Sequence, residues 1–170
     1  MSKIGVNPIG VGIGVVTRYS VIIPMKSITE YTVTNDNDSN NSVWVGWTEH
    51  STGTTGYTSL DDKFDKSLTI YSNNGRLYGK STITNENWWA SKDWVSNFSD
   101  LGFDSIRASK TSMTSKIKNG QLTFTVGSHT GNFDASSHFT KPDELFPIFI
   151  LWSNDRTLKI TNVKFGDLQC

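Results

Sequence analysis

The sequence predicts an all-β fold, namely a two-sheet antiparallel sandwich with one short helix. The first observation is the block Leu145–Leu168, in which an almost continuous apolar run ends at Trp152 and an alternating run begins at Leu158. A continuous apolar run is typical of a strand buried on both faces, and alternation indicates a half-exposed strand. The second observation is a pair of turn signals, Asn74-Gly75 and Asn119-Gly120, each placed between strand-like runs.

Composition agrees with a β domain and limits its partners. Ser, Thr and Asn together make up roughly a third of the 170 residues, far above average usage. These residues favour strands, turns and exposed polar faces over helix interiors. The 16 basic and 16 acidic residues cancel and are scattered, so neither nucleic acid nor an anionic membrane is an expected partner. The length suits one β-sandwich domain at 15–170, preceded by a glycine-rich arm at 1–14.

The sequence predicts neither a signal peptide nor a transmembrane segment. The N-terminal residues are apolar but lack a basic segment, a glycine-poor apolar segment and a cleavage site, so no signal peptide is predicted. No window of about 18 apolar residues predicts a transmembrane segment or membrane insertion. Cys170 is the single cysteine, which excludes an intrachain disulfide framework and a cysteine-based zinc site. A surface-type composition without an export signal favours a virion or another extracellular surface as the location.

The first half of the chain contains three predicted strands. Thr17–Met25 and Glu30–Thr34 are rich in β-formers, with Pro24 indicating an edge or a strand end. Ser42–Glu49 alternates, so Val43, Val45 and Trp47 are predicted on one face and Trp44 on the other.

The second half contains two predicted hairpins and the predicted helix. Leu68–Tyr71 pairs with Arg76–Ile83, and the strands flanking Asn119-Gly120 pair in the same way, because Asn-Gly supplies the positive φ angles of a tight turn. The block Leu145–Leu168 is interpreted as a third, closing hairpin. Glu86–Phe98 is the helix candidate, and Gly127–Lys141 is expected to be a long polar loop.

Catalytic patterns are missing from the sequence. The acidic residues fall mainly in turns rather than as the paired carboxylates of a glycosidase. No nucleophile elbow, zinc-protease motif or phosphate-binding loop occurs. The interpretation is therefore a protein that is not an enzyme. A glycan-degrading enzyme with a pair of loop carboxylates remains an alternative.

Metal binding has two candidate segments, and neither matches an established motif. His129 and His138 lie nine residues apart and could bind a metal together with Asp134. The loop Asn35–Asn41 offers the carboxylate and amide oxygens that Ca²⁺ prefers, but it lacks the glycine and the closing glutamate of an EF-hand. No metal site and no cofactor are predicted, with Ca²⁺ as the one alternative.

The tryptophans are the best candidates for a binding site. Sugars present C–H faces that stack on aromatic rings, and their hydroxyl groups need amide or charged partners. Trp88 and Trp89 are adjacent, so in an extended strand they would point to opposite faces and at least one would be exposed. The predicted ligand-binding residues, in an aromatic and polar mixture, are Trp88, Trp89, Asn87, Asp93, Lys92 and Trp44.

The closing block resembles a known superfamily. Phe146-Pro147 on one strand and Asn162, Phe165 and Gly166 at the last strand are similar to the closing strands of concanavalin A-like jelly rolls, including SPRY and laminin-G-type domains. The resemblance implies a two-sheet antiparallel jelly roll, commonly used for glycan or protein recognition. The metal ligands of legume-type members cannot be mapped onto this sequence. Phage tail-fibre and receptor-binding tip domains often use similar sandwiches.

The predicted function is lectin-like binding of cell-surface glycans, as in receptor binding by a phage or virus. A homo-oligomer is expected, with a trimer favoured and the glycine-rich arm as its interface. The alternatives are a structural virion subunit, whose exposed aromatic residues would contact neighbouring copies, and a β-sandwich that binds another protein.

Overall fold

The structure is a computed structural model, and it describes the parts of the chain that form the two sheets. For residues 14–16, 20–22 and 87–92 it describes the backbone only. The described residues are 14–16, 20–22, 28–35, 43–49, 64, 66–72, 75–84, 87–92, 112–151 and 158–166.

Twelve strands and one short 3₁₀ helix form within these residues. The strands are β1 Gly14–Val16, β2 Ser20–Ile22, β3 Ile28–Thr34, β4 Val43–Thr48, β5 Ser67–Tyr71, β6 Leu77–Lys80, β7 Asn87–Lys92, β8 Ser112–Lys118, β9 Gln121–Val126, β10 His129–Asp134, β11 Phe146–Leu151 and β12 Leu158–Phe165. The 3₁₀ helix is Ala135–Ser137, and the side chain of Asp134 caps its N-terminus.

The strands form two six-stranded antiparallel sheets. Sheet A has the order β1-β12-β3-β8-β9-β10, and sheet B has the order β2-β11-β4-β5-β6-β7. This arrangement confirms the predicted all-β, two-sheet antiparallel sandwich of jelly-roll type. No helix among the described residues is long and apolar enough to span a membrane.

The main core lies between the sheets and follows the predicted alternation. Val43, Val45 and Trp47 of β4 belong to it, as predicted, whereas Trp44 belongs to a second cluster. β11 is buried along its whole length, because alternate residues enter the two clusters. The second cluster therefore lies on the outer face of sheet B and comprises Trp44, Phe64, Phe146, Ile148 and Ile150.

Two hydrogen bonds cross the core from one sheet to the other. The Tyr31 hydroxyl of sheet A donates to the Gly46 carbonyl of sheet B over 2.6 Å. In the opposite direction, Trp47 Nε1 of sheet B donates to Ser115 Oγ of sheet A over 2.7 Å. All three side chains are buried. Because a buried polar group without a partner is costly, these bonds fix the lateral position of one sheet over the other.

Two glycines allow the strands beside β5 to approach its backbone closely. A Cβ atom on Gly46 of β4 would overlap the Leu68 carbonyl oxygen, and one on Gly79 of β6 would overlap the Ser67 carbonyl oxygen. Both obstacles are backbone atoms, which cannot move aside as a flexible side chain can. The middle of sheet B therefore requires glycine at these two positions.

Both Asn-Gly hairpins are confirmed. β8 and β9 pair around Asn119-Gly120, where both residues have positive φ (51° and 74°), as a tight hairpin turn requires. β5 and β6 pair around the turn that contains Gly75, whose φ is 73°. Local turn chemistry is thus sufficient to specify these two pairings.

Three expectations about the second half of the chain are wrong. The segment Asn87–Lys92, within the expected helix, is a strand that pairs with β6. The expected polar loop Gly127–Lys141 contains the regular strand β10 and the 3₁₀ helix. The closing block does form two strands, but β11 lies in sheet B and β12 in sheet A, so they are not a hairpin.

β12 does not keep one register along the whole of β3. Its register against β3 shifts between Ile160 and Asn162 and again between Lys164 and Phe165. Phe165 lies beyond the second shift and is 40% exposed.

A carboxylate joins the strand ends of sheet B to the loop that precedes β11. Glu49 accepts hydrogen bonds from the Thr82 and Thr140 hydroxyls and, over 2.6 Å, from the Lys141 backbone N–H. The Thr82 hydroxyl and backbone N–H in turn donate to the His138 carbonyl. This end of the sandwich is therefore held by a network of side-chain to backbone bonds.

Candidate binding face on sheet B

An aromatic cluster spans three strands on the outer face of sheet B. It consists of Trp44, Phe64, Tyr71 and Tyr78. Cross-strand pairing brings Trp44 opposite Tyr71, and their rings stack with centroids 4.8 Å apart at 15°. Tyr78 meets the Trp44 ring edge-on at 5.8 Å and the Phe64 ring at 5.5 Å. Paired aromatic rings of this kind stabilise a sheet beyond their buried area.

The cluster is closed at one side and open at the other. Trp44 is 4% exposed and Phe64 is fully buried, whereas Tyr71 and Tyr78 are half-buried. The tyrosine rings are therefore the part of the cluster that solvent and a ligand can reach. Trp44, which the sequence placed among the ligand-binding residues, lies beneath Tyr71 as its packing support.

The tyrosine end of the cluster carries a neutral phenol close to a cation. Burial raises the pKa of Tyr78, the neighbouring Tyr71 raises it further, and Arg76 opposes the increase. Because this pKa lies above its ordinary value of 10.0, the Tyr78 hydroxyl stays protonated at neutral pH and can both donate and accept hydrogen bonds.

The strand that carries the predicted tryptophans continues this face. In the register of β7 with β6, Trp89 is opposite Tyr78, Asn87 is opposite Lys80, and Trp88 is opposite Gly79. Directly opposed residues occupy the same face of an antiparallel pair. The positions of Trp89 and Asn87 are thus on the face of the aromatic cluster, and the position of Trp88 is on the core-facing side.

The structure brings together the backbone positions of four predicted residues on β7: Asn87, Trp88, Trp89 and Lys92. Lys92 is opposite Leu77, beyond a register shift that separates it from the regular part of the pairing. Asp93 lies outside the described residues.

Sequence reasoning missed the two tyrosines of the cluster. Tyr71 and Tyr78 flank the Asn74-Gly75 turn, and Tyr71 is joined across it by a hydrogen bond from its N–H to the Arg76 carbonyl. A hairpin predicted from that turn would have placed both rings close together, so the signal was present in the sequence.

The histidines do not form the metal site that was considered. His138 is buried, and its Nε2 lies 2.8 Å from the Ser67 carbonyl oxygen, with the ring packed edge-on against Phe139. His129 is exposed at the start of β10, and Asp134 is engaged as the 3₁₀ cap. Within the described residues no group of three or more His, Cys, Asp or Glu side chains is arranged to hold a metal ion. The loop residues 36–41 lie outside the described residues.

Comparison with known proteins finds no match in sequence and a distant similarity in structure. No protein family matches the chain, and no characterised protein matches it in sequence. Among solved structures, the SPRY domain of human HERC1 is similar, with 14% sequence identity, a TM-score of 0.47, and coverage of 92% of this chain and 86% of that chain. At this level of identity the similarity concerns the fold alone.

Proposed function

We propose that this chain is a non-enzymatic recognition domain that binds carbohydrate through the outer face of sheet B, next to β7. The observation that carries the proposal is the continuity of aromatic positions from Trp44 through Tyr71 and Tyr78 to Trp89. The two tyrosine rings are half-buried, so they are held in place and still accessible.

The chemistry of this face suits a neutral polar ligand. Pyranose rings present C–H groups that pack on aromatic faces, and their hydroxyl groups bind to amides, phenols and charged side chains. Lys80 and Asn87 are opposed in register beside the aromatic positions, and Arg76 lies next to Tyr78. In this proposal Tyr78 and Trp89 form the stacking platform, Asn87 supplies an amide, and Trp44 supports the platform from below.

The context of the proposal is a receptor-binding surface. A chain with zero net charge and abundant hydroxyl and amide side chains fits recognition of neutral glycans at a cell surface, with a virion as the preferred carrier. Lys92, the last residue of β7, and Asp93, the next residue in sequence, are retained in this proposal as polar partners of the ligand.

The experiment is a glycan array followed by calorimetry on the best ligand. Trp89→Ala and Tyr78→Ala are each expected to weaken binding about 2- to 12-fold, because an aromatic contact contributes roughly 0.5–1.5 kcal/mol. Trp88→Ala is expected to lower stability with a smaller effect on affinity, because its position faces the core side of the sheet.

Phe165→Ala provides the matched control. Phe165 is an exposed aromatic residue on sheet A, so its loss should leave glycan affinity unchanged. If no glycan binds, or if Trp89→Ala and Phe165→Ala have the same affinity as the native chain, the proposed face is not a sugar site.

A protein ligand is the second candidate, and it is favoured by Ile83. This side chain is 49% exposed, on a turn held by hydrogen bonds from the Ile83 and Thr84 N–H groups to Ser81 Oγ. In this candidate the exposed part of the Ile83 side chain is buried against the bound protein, which removes apolar surface from water. Selection of displayed peptides against the chain tests this candidate: peptides that bind the native chain but not Ile83→Ser would establish it.

A further inference from the structure

The strand β10 forms an open edge of sheet A. β10 pairs with β9 on one side through six consecutive residue pairs without a register shift. On its other side no strand among the described residues pairs with it. Five of its six residues are at least partly exposed, and Gly131 is the exception.

The hydrogen-bonding parity of β10 shows which backbone groups point outward. Ala135, just after the strand, donates its N–H to the Gly120 carbonyl, towards β9. Alternate residues of an antiparallel strand direct their backbone groups to the same side, so His129, Gly131 and Phe133 also bond to β9. Thr130 and Asn132 lie between them. Their N–H and C=O groups therefore point away from the sheet.

This edge lacks the features by which proteins protect exposed strands. Edge strands are usually blunted by proline, lysine, a bulge or a covering segment. β10 has no proline and no bulge, and its one acidic residue, Asp134, lies at its end, so the stretch from Thr130 to Phe133 is uncharged. A regular edge with an uncharged centre, whose outward backbone groups no strand of the described residues pairs with, is a template for another strand.

We propose that β10 pairs antiparallel with β10 of a second copy of this chain, joining the two A sheets across a twofold axis. With the axis at Gly131, Thr130 of each copy is opposite Asn132 of the other. The outward backbone groups of these residues then form four hydrogen bonds, two for each Thr–Asn pair. Gly131 meets its own symmetry mate at the position where the two backbones approach most closely, and glycine has no side chain to obstruct that approach.

The side chains at this edge are complementary to themselves. The Thr130 hydroxyl already bonds to Thr125 over 3.0 Å, and Asn132 Oδ1 accepts from Thr123 over 2.9 Å. The Asn132 amide nitrogen has two donors, which can reach the opposed threonine hydroxyl. On the core-facing side, His129 would cover the half-buried ring of Phe133 in the other copy.

A second copy is the occupant that this geometry favours, because one symmetric register satisfies every outward group from Thr130 to Asn132. The uncharged centre of the edge also offers no attraction to a charged peptide. The pairing is independent of the proposed glycan face, since that face belongs to sheet B.

The experiment combines light scattering over a concentration series with amide hydrogen exchange on the intact chain. We expect a dimer that dissociates on dilution, because a five-residue edge buries less than the ~1,200 Å² of a stable interface. In the dimer the amides of Thr130 and Asn132 are expected to exchange slowly, and on dilution they should exchange rapidly. This exchange measurement uses the native chain, so its result does not depend on whether a variant folds.

Thr130→Pro and Thr130→Val form the matched pair of variants. Proline removes the outward N–H of Thr130 in each copy, and with it two of the four backbone hydrogen bonds between the copies, but it removes no bond to β9. The dissociation constant of the dimer should therefore rise about tenfold or more. Valine keeps the N–H, so the dissociation constant of the dimer should stay within about threefold of the native value. Circular dichroism checks that both variants keep the sandwich.

Each other outcome overturns the proposal. A monomer whose Thr130 and Asn132 amides exchange rapidly at every concentration has an unoccupied edge. A monomer in which they are protected at every concentration has the edge covered by a segment of its own chain. A trimer, or a dimer with both amides unprotected, associates through another surface, such as the glycine-rich arm.

Discussion

Replacing Tyr31 with phenylalanine tests whether the hydrogen bonds across the core stabilise the sandwich. The Tyr31 hydroxyl is buried and donates to the Gly46 carbonyl over 2.6 Å. Tyr31→Phe keeps the ring and its contacts with Trp47 and Phe149, but it leaves a buried carbonyl without this donor. Since an unsatisfied buried polar group costs about 1–3 kcal/mol, the free energy of unfolding should fall by that amount at pH 7.

The same variant has a predicted alkaline signature. Burial raises the pKa of Tyr31 well above 10.0, and the hydrogen bond with Ser115 lowers it in part. Above pH 10 the tyrosine of the unfolded chain loses its proton while the folded one keeps it, so the unfolded state binds fewer protons and stability falls as pH rises. The loss approaches about 1.4 kcal/mol per pH unit between the unfolded and the folded pKa. This loss of stability with rising pH is absent from Tyr31→Phe, because phenylalanine has no proton to lose.

The assay is urea unfolding followed by tryptophan fluorescence between pH 7 and pH 11. Lysines and the other tyrosines titrate in both proteins, so their contributions largely cancel in the difference between native chain and variant. That difference should shrink by roughly 1 kcal/mol from pH 9 to pH 11. A difference that stays constant over this range would show that the buried hydroxyl is not kept protonated by the fold, and the reasoning would be refuted.

Three further predictions concern stability, each measured as the free energy of unfolding. Ser115→Ala should cost about 1–3 kcal/mol by leaving Trp47 Nε1 without its acceptor, and Ser115→Thr should cost less if the hydroxyl is what matters. Gly79→Ala should cost about 1–3 kcal/mol or more, because its Cβ overlaps the Ser67 carbonyl; an unchanged midpoint would mean that β5 and β6 are farther apart than described. Glu49→Gln should cost about 1 kcal/mol, since a neutral amide binds the converging donors less strongly than a carboxylate does; a neutral result would show that the network is dispensable.

The sequence was sufficient where pairing depends on local chemistry. The Asn119-Gly120 turn places two residues at positive φ, and few alternatives to a hairpin exist once such a turn is flanked by alternating residues. The alternation of β4 likewise assigned Val45 and Trp47 to the core and Trp44 to the opposite face, because the two-residue period of a strand leaves no freedom.

The sequence was insufficient where pairing depends on distant segments. β10 has one apolar side chain, Phe133, and an edge strand needs little more, so its sequence resembles a loop. β7 owes its extended form to pairing with β6, and this non-local cause is not visible in the sequence of the helix candidate Glu86–Phe98. The register that sets Trp89 opposite Tyr78 has the same non-local origin, and the candidate face could therefore be predicted only in part.

The positions of β11 and β12 have a consequence for synthesis on the ribosome. β11 lies between β2 and β4, and β12 lies between β1 and β3, so among the described strands the two latest in sequence are inserted among the four earliest. Sheet B cannot be completed until the segment up to Leu151 has left the exit tunnel, and sheet A cannot be completed until the segment up to Phe165 has done so. Nascent chains are thus expected to leave the sandwich incomplete until β12 has emerged, and then to fold in a slow step dominated by long-range contacts.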